Sequence, residues 1–404
     1  MLQKHRWPRL IAAVINGFLL GILLTWSYFR DDLGTLFPSW SASNLSLVFS
    51  IHNVSVCIAL FLTGLLLKRL SHRTMLFIAA TMLLAGFGSF PFLPADHPEL
   101  ALVLASVFFG VIAACSIGIG VSAGYSLYTQ WMPDQPGKLI GIMSLACSVA
   151  PIIAGAVCSR LIPIVGVLHA VRWVGIVVAA LIYATLPLAK PPGPDFKMPS
   201  VPSRMNNTNQ ADCSPREMLL MPSFWLLLAF NAVIRTSGLI IIDFGGSIAI
   251  HFGAAALVGL LFSPATGVAN IVGGVLVDKL STPRVMYLCS GLILVSAILL
   301  LSGNAAGSAF LATAGLIAGG FSYGCCTVHC SASVRVLFGP KHYAQNLGYV
   351  QMSILLAAGG GYLAGRLLDS RGGNYQGVFI LILVFALVSV ACGAGMRISL
   401  MRNS

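Results

Sequence analysis

Long apolar runs separated by short polar or charged segments recur along the whole chain. A helix that crosses a membrane needs roughly 20 apolar residues. Because the runs are continuous rather than alternating, they predict helices and exclude the strands of a transmembrane barrel. The runs lie at residues 9–29, 44–67, 75–93, 100–130, 138–162, 166–189, 223–248, 255–277, 285–303, 307–334, 345–368 and 374–396. The pattern therefore predicts an all-α membrane protein with twelve transmembrane helices.

One longer polar stretch divides these runs into six and six. Residues 190–222 contain seven prolines and the run Asn-Asn-Thr-Asn at 206–209, a composition that favours a linker over a packed core. We therefore predict an N-terminal six-helix bundle over residues 1–189, a cytoplasmic linker over 190–222 and a C-terminal six-helix bundle over 223–404.

Composition agrees with a membrane protein and excludes a large soluble domain. The 404 residues are 57% hydrophobic and 8% charged, with a mean hydropathy of +0.91. The formal net charge is +12, but the basic residues are scattered between apolar runs, which argues against a nucleic-acid partner. Most of the ten cysteines lie within apolar runs and are interpreted as packing residues. No nucleotide-binding motif is present, and we expect no cofactor.

The basic residues predict the orientation in the membrane. With the N-terminus inside, 17 of the 23 Lys and Arg residues fall on the cytoplasmic side and five on the outer side. The remaining one, Arg235, lies within the seventh span. We therefore expect a multi-pass protein of the cytoplasmic (inner) membrane with both termini in the cytoplasm.

The two halves share a short sequence between corresponding spans. Residues 64–71 (GLLLKRLS) follow the second span, and residues 274–281 (GVLVDKLS) follow the eighth, 210 positions later. Internal repeats of this kind are typical of secondary transporters. Further motifs fall in order along the twelve runs: Trp26-Ser-Tyr28-Phe, Gly118-Ile-Gly120, Trp131-Met-Pro-Asp134, Pro222-Ser-Phe-Trp225, Phe338-Gly339 and Asn346-Leu-Gly348.

On these motifs, nearly the whole chain resembles the major facilitator superfamily, and within it the branch of oxalate:formate antiporters and monocarboxylate transporters. The resemblance implies two pseudo-symmetric six-helix bundles and a gating motif at Gly64, Arg69, Gly274, Asp278 and Lys279. Lys68 replaces the usual acidic residue of the first copy, which weakens the expected charge lock there.

The substrate positions depart from those of the oxalate exchangers. Two basic residues on the eighth and eleventh spans of those proteins clamp a dicarboxylate, and the matching positions here are Asn270 and Ile354. A dianion would leave a buried charge without a partner, at a cost of several kcal/mol. We therefore expect a monocarboxylate rather than oxalate.

Arg235 is the strongest candidate for a substrate-binding residue. A charged side chain at the centre of a span is disfavoured by roughly 2.5–3.5 kcal/mol, and such residues usually lie on transport pathways. A guanidinium binds carboxylates in a forked geometry. The alternative is a fixed ion pair or a cap on helix carbonyls. Asp243 lies about 12 Å further along the helix, too far for a direct salt bridge, and is either a proton acceptor or a residue near outer-leaflet water.

His52 and His329 are candidates for proton coupling because a histidine can titrate near neutral pH. The alternative is that each is a hydrogen-bonded packing residue. Cys326, His329 and Cys330 could face one side of a helix as metal ligands. Since no second pair of ligands accompanies them, we predict no metal site.

Neutral polar and aromatic residues complete the predicted substrate chamber. Aromatic residues on the first, fourth, tenth and eleventh spans shape this chamber in the resembled branch, and Asn270 and Gln351 could hydrogen-bond a substrate oxygen. The aromatic candidates are Trp26, Tyr28, Tyr125, Tyr323 and Tyr349. Trp and Tyr also favour membrane interfaces, which is the alternative explanation.

We predict a secondary active transporter of small organic anions, such as pyruvate, lactate or formate, that works as a monomer in the bilayer. Alternating access would be coupled to protons or to anion exchange. The alternative within transporters is a proton-coupled exporter of drugs, siderophores or other amphipathic compounds. A membrane enzyme is disfavoured because the Gly-X-Ser-X-Gly match at Ser122 lies inside one span, without the strand that a nucleophile elbow needs. A receptor is disfavoured because the termini are short.

Overall fold

The computed structural model describes residues 2–23, 25–67, 69–132, 136–192, 213–339 and 342–403. All regular structure within these ranges is helical. Eleven helices are long and apolar enough to cross a membrane, and they correspond to the second through twelfth predicted spans. The fold is therefore all-α and built from membrane-crossing helices, as predicted. All ten cysteines are free thiols.

The chain separates into two compact units. Unit 1 comprises Met1–Trp40 and Leu47–Asn206, and unit 2 comprises Ser41–Ser46 and Asn207–Ser404. The helices that begin in the first half of the chain are α1 (Leu2–Leu23), α2 (Trp26–Leu36), α3 (Ala42–Leu66), α4 (His72–Gly88), α5 (Pro98–Ala105), a π-helix (Ser106–Ala113), α6 (Ala114–Trp131), α7 (Pro136–Val165) and α8 (Val167–Thr185).

Within the described residues of the second half, the chain forms ten helices. They are α9 (Pro215–Leu220), α10 (Pro222–His251), α11 (Ala256–Gly259), α12 (Phe262–Lys279), α13 (Thr282–Ala306), α14 (Ala309–Phe338), α15 (Tyr343–Gln351), α16 (Ser353–Ala358), α17 (Gly360–Ser370) and α18 (Gln376–Asn403). The predicted eleventh span is thus divided into α15, α16 and α17, with turns at Met352 and Gly359.

The first predicted span differs from the structure at both ends. Helix α1 already begins at Leu2, and a new helix, α2, begins at Trp26 within the run predicted as one span. At the predicted start of the span, the guanidinium carbon of Arg9 lies 4.1 Å from the centre of the Trp131 ring. A cation over an aromatic face is stabilised without full hydration, which allows this arginine to lie at the end of an apolar run.

Helix α9 lies within the stretch predicted as linker. A capping box starts it: the Ser214 hydroxyl accepts from the backbone N–H of Glu217, and the Glu217 carboxylate accepts from the N–H of Ser214 at 2.7 Å. This backbone hydrogen bond, together with the bond to the Ser214 side chain, lowers the pKa of Glu217 from its usual value. The reciprocal bonds satisfy donors that a helix start leaves unpaired, which explains a short helix in a polar segment.

The two halves pack their fourth span in the same way. Gly118 of α6 approaches the backbone of α3, where an added Cβ would lie 2.6 Å from the Val56 carbonyl oxygen. Gly324 of α14 approaches the backbone of α12 in the same way, because an added Cβ there would lie 2.5 Å from the Thr266 carbonyl oxygen. Val56 and Thr266 are 210 positions apart, the same offset as the two copies of the gating motif. Glycine is needed at both positions because the backbones come too close for a side chain.

A pair of hydrogen bonds repeats the same relation between the third and fourth spans. The Ser116 hydroxyl donates to the Ala79 carbonyl at 2.7 Å in unit 1, and the Ser322 hydroxyl donates to the Cys289 carbonyl at 2.8 Å in unit 2. The internal repeat predicted from the motif copies is therefore present in the packing of each unit.

The first turn of α3 belongs to unit 2 because of two residues of α17. The Asp369 carboxylate accepts from the backbone N–H of Ala42 at 2.9 Å and from that of Ser43 at 3.0 Å. Gly365, one turn earlier, lies so close that an added Cβ would be 2.7 Å from the Ser43 Cα. A carboxylate at a helix start satisfies free N–H groups and complements the helix dipole.

Candidate functional site

Helix α10 forms the most enclosed part of unit 2. It starts with Pro222 at its first position, where the missing N–H of proline has no helical partner to lose. Every residue from 234 to 249 is buried. A helix that is surrounded on all sides normally carries apolar residues only. The buried charges Arg235 and Asp243 on this helix are therefore exceptional.

Arg235 lies against α14 within a small polar cluster. Its side chain is 4% exposed and is hydrogen-bonded to the Cys330 thiol. The Cys326 thiol also interacts electrostatically with the guanidinium. Asn231, one turn earlier, accepts a hydrogen bond from the Cys326 thiol at 3.4 Å and donates to the Leu227 carbonyl at 2.8 Å. We call Asn231, Arg235, Cys326 and Cys330 the Arg235 cluster.

Asp243 is buried near the broken eleventh span. Its side chain has no exposed surface, and an added Cβ at Gly361 would lie 2.9 Å from its Oδ2 atom. Gly360 packs on Thr236 of the same helix, α10. The run of glycines therefore allows α17 to approach α10 closely, as expected for a packing or hinge point.

His329 lies on α14, directly before Cys330 of the Arg235 cluster in the sequence. Its Nε2 atom is 3.1 Å from the Thr282 carbonyl oxygen and 2.9 Å from the Ser333 hydroxyl. Since the carbonyl can only accept, Nε2 carries the proton in the neutral ring. Nδ1 is buried without a hydrogen-bond partner among the described residues. A cavity of about 70 Å³ lies beside this histidine, lined also by Thr282 and Ser333.

His52 and Trp26 meet around Phe109 in unit 1. The Nδ1 atom of His52 is 2.9 Å from the Phe109 carbonyl oxygen, so Nδ1 donates and Nε2 remains an acceptor. The Phe109 ring stacks on Trp26 at 4.6 Å and on the His52 ring at 4.3 Å between centroids. Phe109 belongs to the π-helix, a form that is frequent at functional sites.

Two predicted tyrosines of unit 1 are hydrogen-bonded to serines of α7. Tyr28 bonds to the Ser159 side chain, and Tyr125 bonds to the Ser144 side chain. Both hydroxyls thus lie close to α7.

The remaining predicted substrate residues lie in unit 2. The Tyr323 ring fills the space beside Gly238 of α10, which brings it within the neighbourhood of the Arg235 cluster. Tyr349 is 40% exposed. Oδ1 of Asn270 and Oε1 of Gln351 are buried atoms without a hydrogen-bond partner among the residues that the structure describes. No described contact joins Tyr349, Asn270 or Gln351 to the Arg235 cluster.

The gating-motif residues are at the surface as far as they are described. Arg69 and Lys279 are exposed, and an added Cβ at Gly64 or Gly274 would meet nothing within 4 Å. The side chain of Asp278 lies outside the described residues. Within the described part of the chain, no group of three or more His, Cys, Asp or Glu side chains could hold a metal ion.

Asn231 and Cys330 were absent from the predicted site. A signal for Asn231 exists in the sequence: it is a carboxamide within an apolar run and precedes Arg235 by one helical turn, so both share a face. Cys330 could not be found in this way, because its contact with Arg235 depends on how α14 packs against α10.

Known proteins with similar sequences and structures agree with this architecture. A 24% identical relative, the uncharacterized MFS-type transporter YhjX of Escherichia coli K12, matches over 356 residues, 87% of this chain and 85% of its own. A bacterial homologue of the human lysosomal transporter Spinster, inward-facing and unoccupied, has a TM-score of 0.74 at 14% identity, covering 99% of this chain and 98% of its own.

The nucleoside transporter NupG is similar in fold as well. Its TM-score is 0.68 at 15% identity, covering 98% of this chain and 99% of NupG. The sequence profile of the Major Facilitator Superfamily matches residues 10–244 and 231–398, nearly the whole chain. The chain is therefore a multi-pass membrane protein that belongs to the major facilitator superfamily of secondary transporters.

Proposed function

We propose that the protein transports a small monocarboxylate, such as pyruvate, lactate or formate, by alternating access. The observation that carries this proposal is the burial of Arg235. Within the candidate spans that are described, Arg235 is the one buried Lys or Arg. A guanidinium in this position offers a fork of N–H donors that matches a carboxylate.

The neighbours of Arg235 fit a single carboxylate. The contacts described around Arg235 come from neutral groups: the Cys330 thiol bonds to the guanidinium, and the Cys326 thiol bonds to Asn231 one turn earlier on α10. Asn270 and Ile354 occupy the positions at which oxalate exchangers have basic residues. A second carboxylate on the substrate would therefore lack a cation at these positions, and its desolvation would be unfavourable.

The other predicted substrate residues would surround the carbon body and neutral oxygens of the acid. Tyr323 adjoins the helix of Arg235, and the further aromatic contacts are proposed to come from Trp26, Tyr28, Tyr125 and Tyr349. Asn270 and Gln351 each keep a carbonyl oxygen that accepts no hydrogen bond from the described residues. These acceptors suit a hydroxyl donor on the substrate.

Coupling is assigned to a proton or to an exchanged anion. Asp243 is a fully buried carboxyl within α10, and ionisable groups inside spans are typical of proton relays. His329 and His52 each keep one ring nitrogen that is buried and has no hydrogen-bond partner among the described residues. Such a nitrogen can accept a proton when a conformational change admits water.

Uptake into proteoliposomes tests the role of Arg235. Labelled pyruvate, lactate, formate and oxalate are compared for the wild type, Arg235→Ala and Arg235→Lys. Loss of a charged hydrogen bond lowers monocarboxylate uptake by roughly 10- to 150-fold in the alanine variant. The lysine variant recovers part of the uptake, because it keeps the charge but not the fork.

Arg335→Ala is the matched control, since it removes the same side chain from an exposed position near the end of α14. Its uptake stays at the wild-type level. Unchanged monocarboxylate uptake in Arg235→Ala, or preferential transport of oxalate by the wild type, would contradict the proposal.

The buried Asp243 also favours a second candidate, a proton-coupled exporter of drugs, siderophores or other amphipathic compounds. Such an exporter depends on a protonatable carboxyl more than on a cation. Resistance profiling separates the two: a strain that lacks an exporter becomes sensitive to amphipathic compounds, and Asp243→Asn fails to restore resistance whereas Arg235→Ala restores it.

The setting of the transporter is proposed with its function. We infer a monomer in the cytoplasmic membrane with both termini inside, six-helix bundles over 1–189 and 223–404, and gating by Gly64, Arg69, Gly274, Asp278 and Lys279. The excess of basic residues in alternate loops supports this orientation. Fusion of reporter domains that are active on only one side of the membrane to each terminus tests it.

A further inference from the structure

Each half of the chain has an asparagine in its first span that packs against the fourth span of the same half. In unit 2, Asn231 of α10 contacts Cys326 of α14. In unit 1, Asn16 of α1 lies against Gly124 of α6, so closely that an added Cβ at Gly124 would collide with the carboxamide. Gly124 corresponds to Cys330 by the offset that relates Gly118 to Gly324. The two carboxamides therefore occupy comparable places in the repeated packing.

Their hydrogen bonds differ. In Asn231, the Nδ2 group donates to the Leu227 carbonyl, and the Oδ1 atom accepts from the Cys326 thiol. Asn16 is 1% exposed, yet neither its Nδ2 nor its Oδ1 atom has a hydrogen-bond partner among the residues that the structure describes. A carboxamide offers two donors and an acceptor, and leaving all of them unused inside a membrane-spanning bundle is strongly unfavourable.

We propose that Asn16 is a ligand-binding residue of unit 1, which hydrogen-bonds a hydroxyl or keto oxygen of the transported acid. The inference rests on the proposed function, because it takes a small organic anion as the ligand. A neutral group that both donates and accepts complements a hydroxyl or a keto oxygen. Asn16 therefore distinguishes 2-hydroxy and 2-oxo acids from the unsubstituted acids of the same length.

Gly124 positions this carboxamide. Any side chain at residue 124 would occupy the space that Oδ1 and Cγ of Asn16 now fill. Gly124→Ala therefore displaces the carboxamide without changing its chemistry. Gly291→Ala is the matched control, since an added Cβ at this helical glycine of α13 meets nothing within 4 Å.

Thermal unfolding of the purified full-length protein, with and without ligand, tests the inference. The probes are lactate and propionate, which differ by one hydroxyl, because a bound ligand raises the unfolding temperature by mass action. The variants are Asn16→Leu, which keeps the branching of the side chain and removes its polar atoms, and Gly124→Ala. The wild type binds lactate more tightly than propionate.

Asn16→Leu unfolds at a higher temperature than the wild type without ligand, because a buried polar group without partners has been removed. It binds lactate roughly three- to tenfold more weakly, the effect of one hydrogen bond, and propionate within twofold of the wild type. Gly124→Ala loses the same preference for lactate, and Gly291→Ala keeps it.

A lower unfolding temperature of ligand-free Asn16→Leu, or an unchanged ratio of lactate to propionate affinity, overturns the inference and leaves the proposed function standing. Equal binding of both acids by the wild type also overturns it. If neither acid stabilises the wild type, the proposed function and the inference fail together. Should Asn16→Leu not fold, the preference of Gly124→Ala decides.

Discussion

Replacing Gly118 or Gly324 with alanine tests the repeated packing of the two halves. The new Cβ would lie 2.6 Å from the Val56 carbonyl oxygen in one case and 2.5 Å from the Thr266 carbonyl oxygen in the other. An unstrained contact needs a separation of 3.4 Å or more, so the helices must part by most of an ångström. Backbone atoms cannot rotate away as a side-chain end can, and overpacking of this kind destabilises by about 1–3 kcal/mol.

Gly291→Ala provides the reference for these two variants. It gains the same helix propensity, worth about 1 kcal/mol, without the collision, because the space around residue 291 is open. Thermal unfolding in detergent should therefore place Gly118→Ala and Gly324→Ala below Gly291→Ala by roughly 2–12 °C, from 2–4 °C per kcal/mol. The two losses should be similar and additive in the double variant.

Two outcomes would contradict the close approach of these helices. If Gly118→Ala unfolds at the temperature of Gly291→Ala, the close approach of α6 to α3 is absent from the folded protein. If only one of the two variants is destabilised, the halves do not pack their fourth span alike.

Three further predictions concern hydrogen bonds. Asp369→Ala removes the acceptor at the start of α3 and destabilises that turn by about 1 kcal/mol, which hydrogen exchange detects as faster exchange confined to the first turn; unchanged exchange there contradicts the cap. The lowered pKa of Glu217 means that its bond to Ser214 stabilises α9 above the unfolded-state pKa and is lost as pH falls through the folded-state value. Exchange in α9 should thus rise on acidification in the wild type but be fast at every pH in Glu217→Ala, which has no acceptor, and a flat wild-type profile would argue against the capping box. Ser116→Ala and Ser322→Ala should each destabilise by about 1 kcal/mol, measured by thermal unfolding, and markedly unequal losses would show that the paired bonds differ in strength.

Much of the fold follows from the sequence because the bilayer restricts the choices. Continuous apolar runs can only become helices there, and eleven of the predicted spans are present. The burial of Arg235 is foreseeable on the same ground, since a charge at the middle of an apolar run has nowhere else to lie than inside the bundle. One difference has a local cause: the reciprocal hydrogen bonds of Ser214 and Glu217 start helix α9 within the predicted linker.

The contacts of the candidate site depend on tertiary packing, which periodicity does not reveal. Sequence spacing excludes a direct bond between Arg235 and Asp243, but it cannot identify Cys330 as the neighbour of Arg235. Nor can it decide between a buried and a water-exposed Asp243, because that depends on the approach of Gly361. Asn16 shows the same limit, since only the packing of α6 against α1 shows that its carboxamide has no hydrogen-bond partner among the described residues.

The π-helix lies where the two halves of the chain differ in length, and it also contacts a buried histidine. Ala79 and Ser116 are 37 positions apart, whereas their counterparts Cys289 and Ser322 are 33 apart, although both serines make the same bond. Unit 1 thus has four extra residues between its third and fourth spans, and the π-helix lies in that stretch. Its wider turns hold more residues per turn than an α-helix does, so the fourth span accommodates part of this added length. The same segment presents the Phe109 carbonyl that accepts a hydrogen bond from His52, so the longer copy of the repeat also fixes an imidazole that the other half does not repeat.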